Sequence, residues 1–298
     1  MANTKTIFVG TDLSEFSHRA EKRAGMLWAE LEYDGIELLS VREGGLPEAL
    51  ALVLRKTTTE TEAILVERAM RELRLACGNL EDNHNVRCAS MIKFGRPEQE
   101  IVARADELFA DLTVVGAHGG NFFTDLFLGN TADKLARMSK TPLLVVKNQT
   151  IEPYRQVLVP VDFSANSRRA AQLALRIAPD SHITFMHVFD VVMEEQMQYV
   201  NVARDVIHEY HVKAAEDARR DLSEFIAGLR GGHRSVSRMV AFGNPGHVIY
   251  DHANSMKPDL IVLGKHGRAR FEELLLGSTS RHVLEQCLCD VLIVTPPV

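Results

Sequence analysis

Cysteine is scarce in this chain, with four residues among 298: Cys77, Cys88, Cys287 and Cys289. One C-x-C pair and two scattered thiols make neither a disulfide framework nor a zinc-ligand spacing. Reduced thiols in a cytosolic protein are the expectation. Aromatic residues are only 6% of the chain and Trp28 is its one tryptophan, so the core has to be aliphatic. Long apolar runs are missing. None approaches the ~20 residues that a membrane-crossing helix needs, which excludes an integral membrane protein. The opening residues, MANTKTIFV, lack a basic-then-apolar export signal, and a cytoplasmic location is expected. Basic clusters are also lacking. The net charge is −6, with 18 basic against 22 acidic residues in 1–150 and 16 against 18 in 151–298. Phosphate-backbone binding needs clustered Lys and Arg, so nucleic acid is not an expected partner. What remains, 46% hydrophobic and 25% charged residues, is ordinary globular usage.

The chain is written twice. Phe94-Gly95-Arg96-Pro97 returns as Phe242-Gly243-Asn244-Pro245, 148 residues later. Gly116, Gly119 and Gly129 return at the same offset as Gly264, Gly267 and Gly277. Nearer the N-terminus the offset is 150, and Asp12, Ser14, Ser17 and Ala20 meet Asp162, Ser164, Ser167 and Ala170. A period this long is a whole domain, not a solenoid unit. The polar, proline-punctuated stretch 147–156 is the expected join, which gives domains at 1–150 and 151–298.

Within each copy, short apolar runs alternate with amphipathic stretches. Ile7-Phe8-Val9, Val114-Val115 and Leu143–Val146 have counterparts in Val157-Leu158-Val159, 260–263 and 291–294. Continuous apolar strands between helices predict a parallel sheet covered on both faces, with five strands and about four helices per copy. A helical pattern over 191–229 would reach about 55 Å unbroken at 1.5 Å per residue, so a break is expected within it. Its methionines read as core filling.

Ligands of open parallel sheets gather at the carboxyl ends of the strands. Three features of each copy fall there. Asp12 and Asp162 follow the first strand, either as ligand acceptors or as carboxylates starting the next helix beside Ser14 and Ser164. Gly116-Ala117-His118-Gly119 and Gly264-Lys265-His266-Gly267 follow the fourth strand, where glycine permits a tight turn and close backbone approach. Gly129-Asn130-Thr131 and Gly277-Ser278-Thr279 each open a helix, whose unpaired N–H groups suit an anion and equally accept a simple cap.

Gly264, two residues, Gly267, nine residues, then Gly277-Ser278, set between an apolar strand and a helix, resembles the adenine-nucleotide motif of the universal stress protein family. The early Asp162 agrees, and the likeness covers nearly the whole chain in two copies. A P-loop and a G-x-G-x-x-G turn are both absent. The resemblance implies two tandem doubly wound α/β domains with strand order 3-2-1-4-5, pairing through their last strands about a pseudo-twofold axis, with a homodimer as a further option. It implies ATP or AMP as ligand, with Mg²⁺ as a companion. Asp162 would meet adenine, with Pro160, Val161 and Val188 beside it. Gly264, His266, Gly267 and Arg268 would line ribose and phosphates, and Gly277, Ser278 and Thr279 would hold the phosphates. The first-copy equivalents are Thr11, Asp12, Val41, Gly116, His118, Gly119, Gly129, Asn130 and Thr131.

The copies differ. Asn130 stands where Ser or Thr is expected. Lys265, Arg268 and Arg270 against Glu272 and Glu273 leave the second loop at net +1, whereas the first carries only Asp125. Its Phe122, Phe123 and Phe127 suit packing, an interface or an apolar ligand. Nucleotide is therefore expected mainly in the C-terminal copy. His208 and His211 fall one residue short of H-E-x-x-H and are read as ordinary imidazoles, with no metal expected. Three functions compete: a nucleotide-binding stress-response regulator, a slow ATPase and a nucleotide-free interaction scaffold. No candidate base stands out for hydrolysis, so an enzyme is the weaker expectation.

Overall fold

A computed structural model of the chain describes residues 5–31, 33–43, 57–119, 128–149, 152–189, 203–229, 235–267 and 275–296. The chain divides into two compact units, residues 1–153 and 154–298. The first contains β1 (Thr6–Gly10), α1 (Glu15–Leu31), β2 (Gly35–Arg42), α2 (Thr58–His84), β3 (Cys88–Phe94), α3 (Pro97–Glu107), β4 (Leu112–Gly116), α4 (Asn130–Met138) and β5 (Leu143–Val146). The second contains β6 (Gln156–Pro160), α5 (Ala165–Ile177), β7 (His182–Phe189), α6 (Arg204–Ala227), β8 (Val236–Phe242), α7 (Pro245–Met256), β9 (Leu260–Gly264), α8 (Ser278–Gln286) and β10 (Asp290–Val294).

In the first unit the strands run β3-β2-β1-β4-β5, all parallel. In the second they run β8-β7-β6-β9-β10, again all parallel. This is the order 3-2-1-4-5 in each unit. Packing accounts for the long apolar strands. In the first unit α1 packs with α2 and α3 with α4, and Ile7, Phe8 and Val9 lie wholly buried. Leu158, Val159 and Ile183 do the same in the second unit. A strand buried on both faces has no polar face to alternate with. The largest fully buried side chains are mostly Leu and Ile, with Phe8 and Phe185 the aromatic exceptions.

The repeated Phe-Gly-x-Pro has a local cause. Gly95 and Gly243 adopt φ of 148° and 129°, where L side chains are strained. Proline two residues later then opens α3 and α7 in the first turn, where its missing N–H costs nothing. α2 begins with a capping box, in which Thr57 and Glu60 satisfy one another's backbone N–H groups. It ends at Asn85, in the left-handed conformation. Glu37 on β2 receives a forked pair of hydrogen bonds from Arg104 of α3, at 2.7 and 3.0 Å. The fork ties a helix to the sheet through a partly buried ion pair.

The cysteines depart from the expectation of reduced thiols. Cys77 near the end of α2 and Cys88 at the start of β3 form a disulfide, while Cys287 and Cys289 are buried thiols. Spacing alone does not reveal the bridge. It depends on the αL turn at Asn85, which doubles the chain back and leaves the two Cα atoms 5.3 Å apart.

α6 covers Arg204–Ala227, and residues 191–202 of the 191–229 stretch lie outside the described residues, so its expected break falls there or is not seen. No helix among the described residues is long and apolar enough to cross a membrane.

Candidate functional site

Each unit carries a cavity at the carboxyl ends of its first and fourth strands. In the second unit it measures about 280 Å³ and opens where β6, β7 and β9 end. Pro160, Val161 and Asp162 form one wall, and Val188 at the end of β7 adjoins them. Gly264, His266 and Gly267 follow β9, and Gly277, Ser278 and Thr279 begin α8. Of the residues singled out in this copy, Arg268, Arg270, Glu272 and Glu273 lie outside the described residues. The first unit's cavity measures about 380 Å³ and gathers Thr11, Asp12, Val41, Gly116, His118, Gly119, Gly129, Asn130 and Thr131. Phe122, Phe123, Asp125 and Phe127 lie outside the described residues. The larger sits at the low end of the ~300–1000 Å³ typical of small-molecule sites and the smaller falls just below it.

The two roles weighed for the aspartates turn out to be compatible. One oxygen of Asp162, Oδ1, accepts the backbone N–H of Ser164 at 3.0 Å. This closes a turn over Phe163, which is held at φ 65°. The other oxygen, Oδ2, lies against Gly267: a Cβ there would stand 2.8 Å from it. Asp12 repeats both contacts, with Ser14 N–H at 3.0 Å and a virtual Cβ on Gly119 at 2.8 Å from Oδ2. It also accepts the Ser17 hydroxyl at 2.5 Å. The carboxylate thus starts the helix with one oxygen and meets the glycine turn with the other.

Gly277 is the N-cap of α8 and supplies no side-chain cap. The first intrahelical bond runs from Arg281 N–H to Gly277 O at 2.9 Å. The N–H groups of Ser278, Thr279 and Ser280, all lining the cavity, therefore have no partner within the helix. The Gly277 N–H donates to Lys265 O at 3.0 Å, and a Cβ on Gly277 would stand 3.2 Å from that oxygen. The glycine lets the helix start rest on the turn after β9.

His266 is 8% exposed, and neither ring nitrogen has a hydrogen-bond partner among the described residues. Burial, aided by Lys265, holds its pKa below the ordinary imidazole value. The ring is therefore neutral at pH 7, with one nitrogen donating and one accepting. Buried polar atoms in this state are uncommon in folded proteins.

Sequence reading missed several contributors. Ser280 donates to Gly264 O at 2.7 Å, and Asn166 donates to His266 O at 3.2 Å. Together they brace the Gly-x-x-Gly turn from two different helices. In the first unit Thr11 donates to Glu21 at 2.6 Å, and Glu43 joins the cavity wall. Ser17 and Ser167 were marked by the repeat. Glu21 and Ser280 carry no such signal, because their counterparts are Ala171 and Ala132. His208 and His211 enter no metal cluster, and among the described residues no three His, Cys, Asp or Glu side chains are placed to hold a metal ion. The His211 ring packs on Phe242, centroids 4.7 Å apart.

Comparison with known proteins agrees with this architecture. A universal stress protein of Methanocaldococcus jannaschii is 28% identical over 150 residues, spanning 48% of this chain and 84% of that protein. One of Mycobacterium tuberculosis is 25% identical over 210 residues, 68% of each chain. Among solved structures, a universal stress protein from Archaeoglobus fulgidus superposes over 98% of both chains, with a TM-score of 0.62 at 19% identity. That likeness speaks for the fold alone. The sequence profile of the universal stress protein family matches residues 3–147 and again 153–295, and the chain belongs to that family, with two of its domains in tandem.

Proposed function

We propose that this tandem protein is an adenine-nucleotide-binding stress-response regulator that takes ATP or AMP mainly in its C-terminal cavity. The observation that carries the reading is the uncapped start of α8. Three main-chain N–H groups without helical partners line a cavity that a carboxylate also lines. A helix start of this kind suits phosphate, and Asp162 suits the adenine amine as a hydrogen-bond acceptor. The neutral His266 in the same lining suits a ribose hydroxyl. Lys265, Arg268 and Arg270 in the same loop of the sequence add positive charge. As a regulator, the protein would respond through the different affinities of its conformations for the nucleotide.

The test is to heat purified protein and analyse the supernatant for nucleotide, then titrate nucleotide-free protein with ATP and AMP. Release of ATP or AMP, or binding abolished by Gly277→Leu, is expected. ADP accompanied by released phosphate would mark slow hydrolysis instead. Neither release nor binding would leave an interaction scaffold.

A further inference from the structure

The two cavities share a fold and a glycine frame, but their charges differ. We propose that the N-terminal cavity is a purine-nucleoside site that rejects phosphate. This rests on the reading that these cavities take adenine ligands and adds a second ligand class to it.

The first cavity is lined by two carboxylates, Asp12 and Glu43, and the second by one, Asp162; neither described lining includes a Lys or Arg. A third carboxylate stands directly behind the first cavity. Glu21 is 5% exposed and accepts the Thr11 hydroxyl at 2.6 Å with one oxygen. Its other oxygen meets His18 Nδ1 at 2.8 Å. The repeat places Val161, Arg168 and Ala171 at the positions of Thr11, His18 and Glu21. The second unit therefore lacks this buried carboxylate and carries a permanent cation where the first has an imidazole.

The phosphate end differs in the same direction. α4 has Asp133 in its first turn, and α8 has Arg281 at the matching position. An acidic residue there already occupies the positive end of the helix dipole. Lys134 of α4 is committed to Glu98 at 2.9 Å. Lys265 is replaced by Ala117, Ser278 by Asn130 and Ser280 by Ala132.

A nucleotide's phosphate carries about two negative charges at neutral pH. In the first cavity it would meet a helix start of the same kind, uncapped at Gly129, but it would face two carboxylates and an acidic first turn, which oppose it. A nucleoside has no such group. It keeps the aspartate acceptor and the glycine turn, which the first unit retains, and the cavity there, 380 against 280 Å³, is the larger.

Two single-cavity variants of the full chain test this. Gly277→Leu leaves the N-terminal cavity and Gly129→Leu leaves the C-terminal one. Both are titrated calorimetrically with adenosine, AMP and ATP. In Gly277→Leu, adenosine is expected to bind at least tenfold more tightly than ATP, with AMP between them. In Gly129→Leu the order is expected to reverse. Adding Glu43→Gln to the former should tighten ATP severalfold relative to adenosine. ATP binding to Gly277→Leu as tightly as adenosine overturns the proposal. So does the absence of any binding there while Gly129→Leu still binds ATP, and that outcome spares the C-terminal reading. Silence in both variants and in the wild type overturns both readings. Should either leucine disrupt folding, the wild-type chain decides: the proposal requires one adenosine per chain to stay bound under excess ATP, and full displacement sinks it.

Discussion

Asp162 and Gly267 sit so close that a methyl group on Gly267 would stand 2.8 Å from the Asp162 carboxylate, and Asp12 and Gly119 reproduce the relationship at the same 2.8 Å. The two partners lie 105 residues apart in the second unit and 107 in the first. They meet because β6 and β9, like β1 and β4, are neighbours in a parallel sheet whose strands end together. The glycine is required by the carboxylate as much as by any ligand.

The aspartate's two oxygens have separable tasks, so substitution should divide them. Asp162→Asn retains an oxygen for the Ser164 N–H and loses the charge. Its stability should stay within about 0.5 kcal/mol of wild type while ATP affinity changes severalfold. Asp162→Ala also loses the turn bond and should cost about 1 kcal/mol. Urea melts beside calorimetric titration separate the two effects. Equal stability of the two variants would show that the turn over Phe163 does not depend on this side chain.

The Cys77–Cys88 disulfide closes a short loop, 11 residues in sequence separation. Loop-closure entropy assigns such a bridge about 2–3 kcal/mol. Cys88→Ser should lower stability by that order. Alkylation in denaturant is expected to label two thiols without reductant, Cys287 and Cys289, and four with it. Four labels without reductant would show that the bridge does not form in solution.

Buried imidazoles give the protein an acid-sensitive component. The pKa of His266 is held below 6.5, chiefly by burial and then by Lys265. The unfolded chain therefore takes up a proton before the folded one does. The stabilisation is complete above the unfolded value and is lost as pH falls through 6.5 toward the folded value. His84 has the same sign, through burial and Lys22. His18 has the opposite one. Its hydrogen bond to Glu21 raises its pKa, so its contribution is full below 6.5 and fades as pH rises through the raised value. Between pH 7 and pH 5, His266→Asn should lose less stability than wild type and His18→Gln should lose more. Denaturant midpoints across that range provide the check, and parallel slopes for all three proteins would contradict both assignments.

Much of the architecture was legible because it is periodic. Runs such as Leu143–Val146 have to be strands buried on both faces, and the Gly-x-x-Gly turns could be matched between copies by counting. The cavity residues followed, since a parallel sheet brings the ends of its first and fourth strands together. Contacts fixed by side-chain reach across elements were not legible. Ser280 reaching Gly264, Asn166 reaching His266 and Glu21 reaching Thr11 depend on where helices settle on the sheet, and no spacing in the sequence encodes that distance.

The order of residues along the chain by itself determined two α/β copies, the glycine frame of each and the unequal charge of their loops, because hydrophobic period, turn chemistry and net charge are local properties. Tertiary structure alone decided that one aspartate oxygen starts a helix while the other meets a glycine, that Cys77 finds Cys88, and that Asp12 and Glu43 line one cavity. Each of those is a distance between groups on different elements, and only close packing fixes such distances.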